Sequence, residues 1–178
     1  MKPEIRNRTI ASRIVPFFLF VLFAVSCAAA QGEEESVPEP EASEVVVWQG
    51  EPIVFTKADG ADPALAENQD RITESVWLTR GNDGGQIFNI AERDRSVKSS
   101  SPDGTLWALG TTADLPNLEF RPFRIAVQSP KNVVGKDLVL FLEAEQIYLD
   151  VKFLSWSQGK LGGFSYERSR TGPVIIPG

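Results

Sequence analysis

From Val45 onward the apolar positions come in short runs at strand spacing, with no long helical period. VVVW (45–48) and IVFT (53–56) are β-branched and aromatic, with Gly50 and Pro52 between them. In ITESVWLT (72–79), Ile72, Val76 and Leu78 fall on one face, and Thr73, Ser75, Trp77 and Thr79 on the other. Asn82-Asp83-Gly84-Gly85 accepts positive φ and predicts a tight turn, so QIFNI (86–90) can return as the partner strand. Ser101-Pro102-Asp103-Gly104 fits a type I turn before the strand TLWALG (105–110). Pro116 and Pro122 break residues 112–124, which hold at best an edge strand. A short helix is predicted from Pro63 to Asn68, capped by Asp62.

The densest apolar stretch closes the domain. LVLFL (138–142) is continuously apolar, as expected of a strand covered on both faces. IYLDVKFLSW (147–156) alternates. Ile147, Leu149, Val151 and Phe153 point one way; Tyr148, Asp150, Lys152, Leu154 and Trp156 point the other. A glycine-rich turn (157–163) leads to a returning strand, FSYER (164–168). About nine short strands with turns between most of them predict an all-β domain over 45–170. The expected architecture is a single antiparallel β-sandwich, jelly-roll-like, or a barrel.

The N-terminus follows a different pattern. A basic region (1–13) precedes a 12-residue apolar run, IVPFFLFVLFAV (14–25), and then small residues. The run is too short for an ordinary membrane helix and has the order of a secretory signal peptide over 1–26. Ala24-Val25-Ser26-Cys27 resembles a bacterial lipobox, which would make Cys27 the lipidated first mature residue. Cutting after Ala28-Ala29-Ala30 instead would release a soluble secreted protein. Because Ala28, not Asp, follows the cysteine, the resemblance implies an outer-membrane destination. Residues 27–44 are rich in Glu and Pro and read as a disordered acidic tether; 171–178 read as a flexible tail.

Composition removes several chemistries. The chain has no histidine and one cysteine, which excludes Ser-His-Asp and Cys-His catalysis, histidine-ligated metals and an intramolecular disulfide. After the tether the body is mildly acidic and shows no basic stripe, which argues against nucleic acid as a partner. Asp59, Asp62, Glu67, Asn68 and Asp70 share one polar loop and are candidates for calcium, although their spacing is not that of an EF-hand. Otherwise no cofactor is implied. Asp150 lies on a strand between apolar neighbours, with Lys152 as its same-face partner, while Glu143 and Glu145 flank a turn and are expected in solvent. Trp77, Tyr148 and Trp156 are candidate binding aromatics, Trp77 foremost because its face is otherwise polar. The glycine-rich stretches 82–85 and 159–163 open no helix and make poor phosphate cradles.

The stretches VWLTRGN (76–82), IFN (87–89), WALGT (107–111), IYLDVKF (147–153) and GGFSYERS (162–169) together resemble an uncharacterised extracellular β-domain that recurs in secreted bacterial proteins. The resemblance implies β-structure outside the cell and carries no activity. This chain has Phe141 where members commonly carry His, and Glu145-Gln146 where they carry Asp-Asp. The expected function is a lipid-anchored envelope protein with a binding module for polysaccharide or a surface protein. The alternatives are a carboxylate-dependent enzyme acting on surface polymers and a purely structural envelope protein.

Overall fold

The computed structural model describes residues 45–172. The signal peptide, Cys27, the acidic tether and residues 173–178 of the tail lie outside the described residues. No helix among the described residues is long and apolar enough to cross a membrane.

Among the described residues nine strands form two sheets. They are β1 (Val46–Trp48), β2 (Gly50–Lys57), β3 (Asp70–Arg71), β4 (Trp77–Arg80), β5 (Ile87–Asn89), β6 (Thr105–Leu109), β7 (Asp137–Leu142), β8 (Ile147–Trp156) and β9 (Phe164–Arg170). The large sheet runs β2-β9-β8-β7-β6 with every neighbour antiparallel. β1 lies parallel to the first residues of β8, the one parallel pairing among the described strands. The chain then crosses the end of β9 to begin β2. Gly50 sits at that crossing, where a Cβ would lie 2.5 Å from the carbonyl oxygen of Thr171. The small sheet, β3-β4-β5, covers the inner face of the large one.

The predicted alternation of β8 explains most of the core. Leu149, Val151 and Phe153 pack inward beside Leu138, Leu140 and Leu142 of β7 and Phe164 and Tyr166 of β9. Val76, Leu78 and Ile87 close the core from the small sheet. Trp107 of β6 is fully buried, with Phe123 edge-on at 5.0 Å; such aromatic pairs add roughly 0.5–1.5 kcal/mol beyond area burial.

Several expectations change in the structure. The run 72–79 is not one strand, because Ile72 N–H bonds Val76 O and the Thr73 hydroxyl accepts the Val76 N–H. Side-chain bonding of this kind competes with the strand ladder. Instead of an edge strand, residues 112–124 hold a 3-10 turn (Thr112–Asn117) and a helical turn, α1 (Phe123–Ala126). Only Arg121 bridges to β6, since Pro116 and Pro122 supply no donors. The short helix predicted from Pro63 to Asn68 is only a 3-10 turn that starts later, at Ala66, and Asp62 caps Ala64 N–H instead. The turn before β6 shifts by one residue, closing between Pro102 O and Thr105 N–H with Gly104 at φ +74°. Finally, a register shift between Phe153 and Ser155 bulges β8. It turns Trp156 from the expected outer face to the inner one, against Phe123, Phe153 and Phe164, because a bulge re-aims every residue beyond it.

One polar tie joins the sheets through the core. Arg168 of β9 grips Asp70 of β3 with two bonds of 2.6 and 2.8 Å, and Tyr166 Oη donates to the same carboxylate at 2.7 Å. All three residues are buried. Burial raises the Tyr166 phenol well above its usual value, and the Asp70 carboxylate raises it further. A folded-state value above the unfolded one means the folded form keeps a proton that the unfolded form releases. The stabilisation is therefore full below about pH 10 and is lost as the pH rises further. Tyr166→Phe should flatten the fall of stability with pH in that alkaline range; equal slopes in parent and variant, read from denaturant midpoints, would exclude Tyr166 as its source.

Candidate functional site

The sequence-predicted residues do not converge. Trp77 lies on the outer side of the small sheet, its Nε1 donating to Thr73 O at 3.0 Å and its ring covered by Arg71 at 4.2 Å. Thr79, expected on the same polar face, is buried and donates to Asn68 O. Tyr148 lies on the outer face of the large sheet, stacked on Phe141 at 4.3 Å and edge-on to Phe120. Asp150 shares that face, but both its oxygens are occupied by the N–H and hydroxyl of Thr112, at 2.7 and 2.9 Å. It clamps the 112–117 turn to β8. The expected Asp150–Lys152 pairing is absent, since Lys152 pairs across the sheet with Asp137 at 2.9 Å. Glu145, expected in solvent, is half-buried and accepts the Ser75 hydroxyl.

The calcium candidates are likewise dispersed. Asp70 is consumed by Arg168 and Tyr166, Asp59 accepts Gly163 N–H at 3.1 Å, and Asp62 caps the turn at Ala64. Among the described residues no group of three or more acidic, histidine or cysteine side chains is placed to hold a metal ion.

A different site does form, at the end of the sandwich where β4 and β8 finish. Three loops are laced together there. Gly60 N–H bonds Leu161 O at 2.8 Å, and Asn82 Nδ2 donates to Ala61 O at 2.9 Å. Lys57, 1% exposed, reaches from β2 to Asn82 Oδ1 at 3.0 Å and Gly162 O at 3.3 Å. Gly162 has φ +78°, and a Cβ there would lie 2.7 Å from Gly81 O, so only glycine permits this approach.

In front of Lys57 stands Arg80, the last residue of β4. Its guanidinium is held by backbone carbonyls rather than by a carboxylate. Nε donates to Gly85 O at 3.2 Å, and Nη1 donates to Ser157 O at 2.9 Å and Gly163 O at 3.0 Å. Its plane covers the Trp156 ring at 4.0 Å, a cation–π contact. Burial lowers the pKa of both cations, and Arg80 pushes Lys57 down further; the nearby Asp59 opposes both shifts. Positive charge is therefore concentrated here without a hydrogen-bonded counter-ion.

Arg80 and Trp156 line an open cleft of about 200 Å³. Arg124 and Lys131 line it too. Their placement follows from packing. Phe123 is locked between Trp107, Phe153 and Trp156, which sets Arg124 at the rim, and buried Pro130 opens the 3-10 turn carrying Lys131. Neither Arg124 nor Lys131 pairs with an acid among the described residues, whereas five other bases do. Ser129, Ser157 and Gln158 complete a polar lining that contains no acid. Arg80 Nη2 and Trp156 Nε1 bond no acceptor among the described residues.

Of the sequence candidates only Trp156 belongs to this site, and the bulge put it there. Arg80, Arg124 and Lys131 carry no sequence pattern that joins them, because they come from separate elements; the available signal is Arg80 beside the Gly81-Asn82 turn. No family model, curated protein or solved structure matches the chain.

Proposed function

We propose that this chain is an exported cell-envelope lipoprotein whose β-sandwich is a binding module with its ligand site at the Arg80 cleft. Lipid on Cys27 would anchor it in the outer membrane, and the 27–44 tether would set the domain at a distance from the surface. The basic, apolar and small-residue order of the leader supports export, as does the resemblance of stretches such as VWLTRGN and GGFSYERS to an extracellular domain. One observation carries the binding reading. Three cations from separate elements meet in one cleft of an otherwise acidic body, and the innermost is fixed before any ligand arrives. The partner class is polysaccharide or another surface protein.

Two measurements test this. Metabolic palmitate labelling should be present in the parent and lost in Cys27→Ser; labelling that persists would refute the anchor. On an array of surface polysaccharides the full chain should be retained on at least one polymer, and retention on none, with no surface protein captured, would refute the module.

A further inference from the structure

The chemistry of the cleft specifies its ligand more narrowly. Arg80 has spent two of its three nitrogens on backbone carbonyls, so it offers one donor group, Nη2, and not the two-pronged fork that grips a planar carboxylate. Lys131 offers a point charge with rotatable donors. Arg124 is carried by a third element, α1, and the indole of Trp156, which has a neutral N–H donor, lines the same cleft. Donors from several sides suit the tetrahedral arrangement of a phosphate or sulfate group better than a flat carboxylate. Burial lowers the pKa of both Lys57 and Arg80, and Arg80 lowers Lys57 further, so an anion in the cleft would favour their charged forms.

Size narrows the choice further. At about 200 Å³ the cleft is smaller than sites that enclose a drug-sized ligand, which run roughly 300–1,000 Å³. It holds one substituent and leaves the rest of a larger molecule outside. Half-buried Arg124 and exposed Lys131 at the rim can follow such a molecule as it leaves the cleft.

We propose that the cleft binds a tetrahedral oxyanion, a phosphate or sulfate group, carried as a substituent on an acidic polysaccharide. This rests on the binding-module reading and names the ligand of the same site.

The test is calorimetric titration of the full chain with six probes: inorganic phosphate, inorganic sulfate, a phosphodiester-linked polysaccharide, dextran sulfate, polygalacturonate and neutral dextran. At least one of the two tetrahedral-anion polymers should bind in a salt-sensitive manner, more tightly than polygalacturonate, with neutral dextran silent. Arg124→Ala/Lys131→Ala should weaken that binding by about tenfold or more at unchanged melting temperature, because neither side chain makes a hydrogen bond or ion pair among the described residues. Lys152→Ala/Arg170→Ala removes two cations from elsewhere on the large sheet and should leave binding within about twofold. Equal weakening by both double variants, or none by either, would overturn the site while leaving a binding module in place. Preference for polygalacturonate would overturn the tetrahedral assignment. Binding of inorganic phosphate or sulfate without either polymer would overturn the polymeric source.

Discussion

Asp70→Ala should remove about 3–5 kcal/mol of stability, because it strands a buried Arg168 and leaves the Tyr166 hydroxyl without its acceptor. For a domain of this size that is a fall of roughly 10–20 °C in melting temperature. The loss does not measure what the ion pair contributes over a hydrophobic pair. Taking both charges out of water offsets much of their attraction, and only removal of one partner exposes the full penalty. The distinguishing variant is therefore Asp70→Leu/Arg168→Met with Tyr166→Phe, which removes the charges and the phenol together. It should recover most of the loss. If the triple variant is as unstable as Asp70→Ala, the damage is to packing between the sheets, and the charge argument fails. Chemical denaturation of the three proteins, with the slope checked for constancy, decides between them.

The tie also shows which parts of this fold were legible in the sequence. Strand identity was readable wherever apolar residues alternate with polar ones or run unbroken between turns. Hence β7, β8, β9 and the β4–β5 hairpin were legible from the apolar pattern and the turn residues. Pairing across long separations was not readable. Nothing in the sequence marks Asp70 as the partner of Arg168, 98 residues away, and as part of a polar loop it read as a calcium ligand. The same holds for β1, whose parallel pairing with β8 depends on a chain crossing at Gly50. Trp156 is the most instructive error. Strict alternation puts it beside Tyr148 and Asp150, but the bulge after Phe153 inverts the register for the last residues of β8. Local bulges follow from strand pairing and not from the apolar pattern, so the candidate site was hidden by the one residue at which the period fails. Its other members come from β4, α1 and the turn after it, and only the tertiary fold makes them neighbours.

Arg80→Ala should lower stability by about 2 kcal/mol, since it takes a charged donor away from the carbonyls of Gly85 and Ser157 in part-buried bonds, and hydrogen bonds to charged groups contribute roughly 1.5–3 kcal/mol. Gly163 O is spared, because Ser157 N–H also donates to it at 3.0 Å. Two effects soften the loss: the open cleft lets water reach the vacated acceptors, and Lys57 loses a repulsive neighbour. That second effect gives a readout which a general packing defect would not produce. With Arg80 gone, the Lys57 ammonium should titrate closer to its ordinary value, as followed by the pH dependence of its side-chain resonances. Arg80→Lys keeps a cation at the cleft but cannot reach three carbonyls at once or lie flat on Trp156, because an ammonium is a point donor without a planar fork. It should therefore lose stability, keep Lys57 depressed and keep part of any anion affinity, while Arg80→Ala loses both. Equal behaviour of the two variants in the Lys57 titration would mean that Arg80 acts there by shape and not by charge.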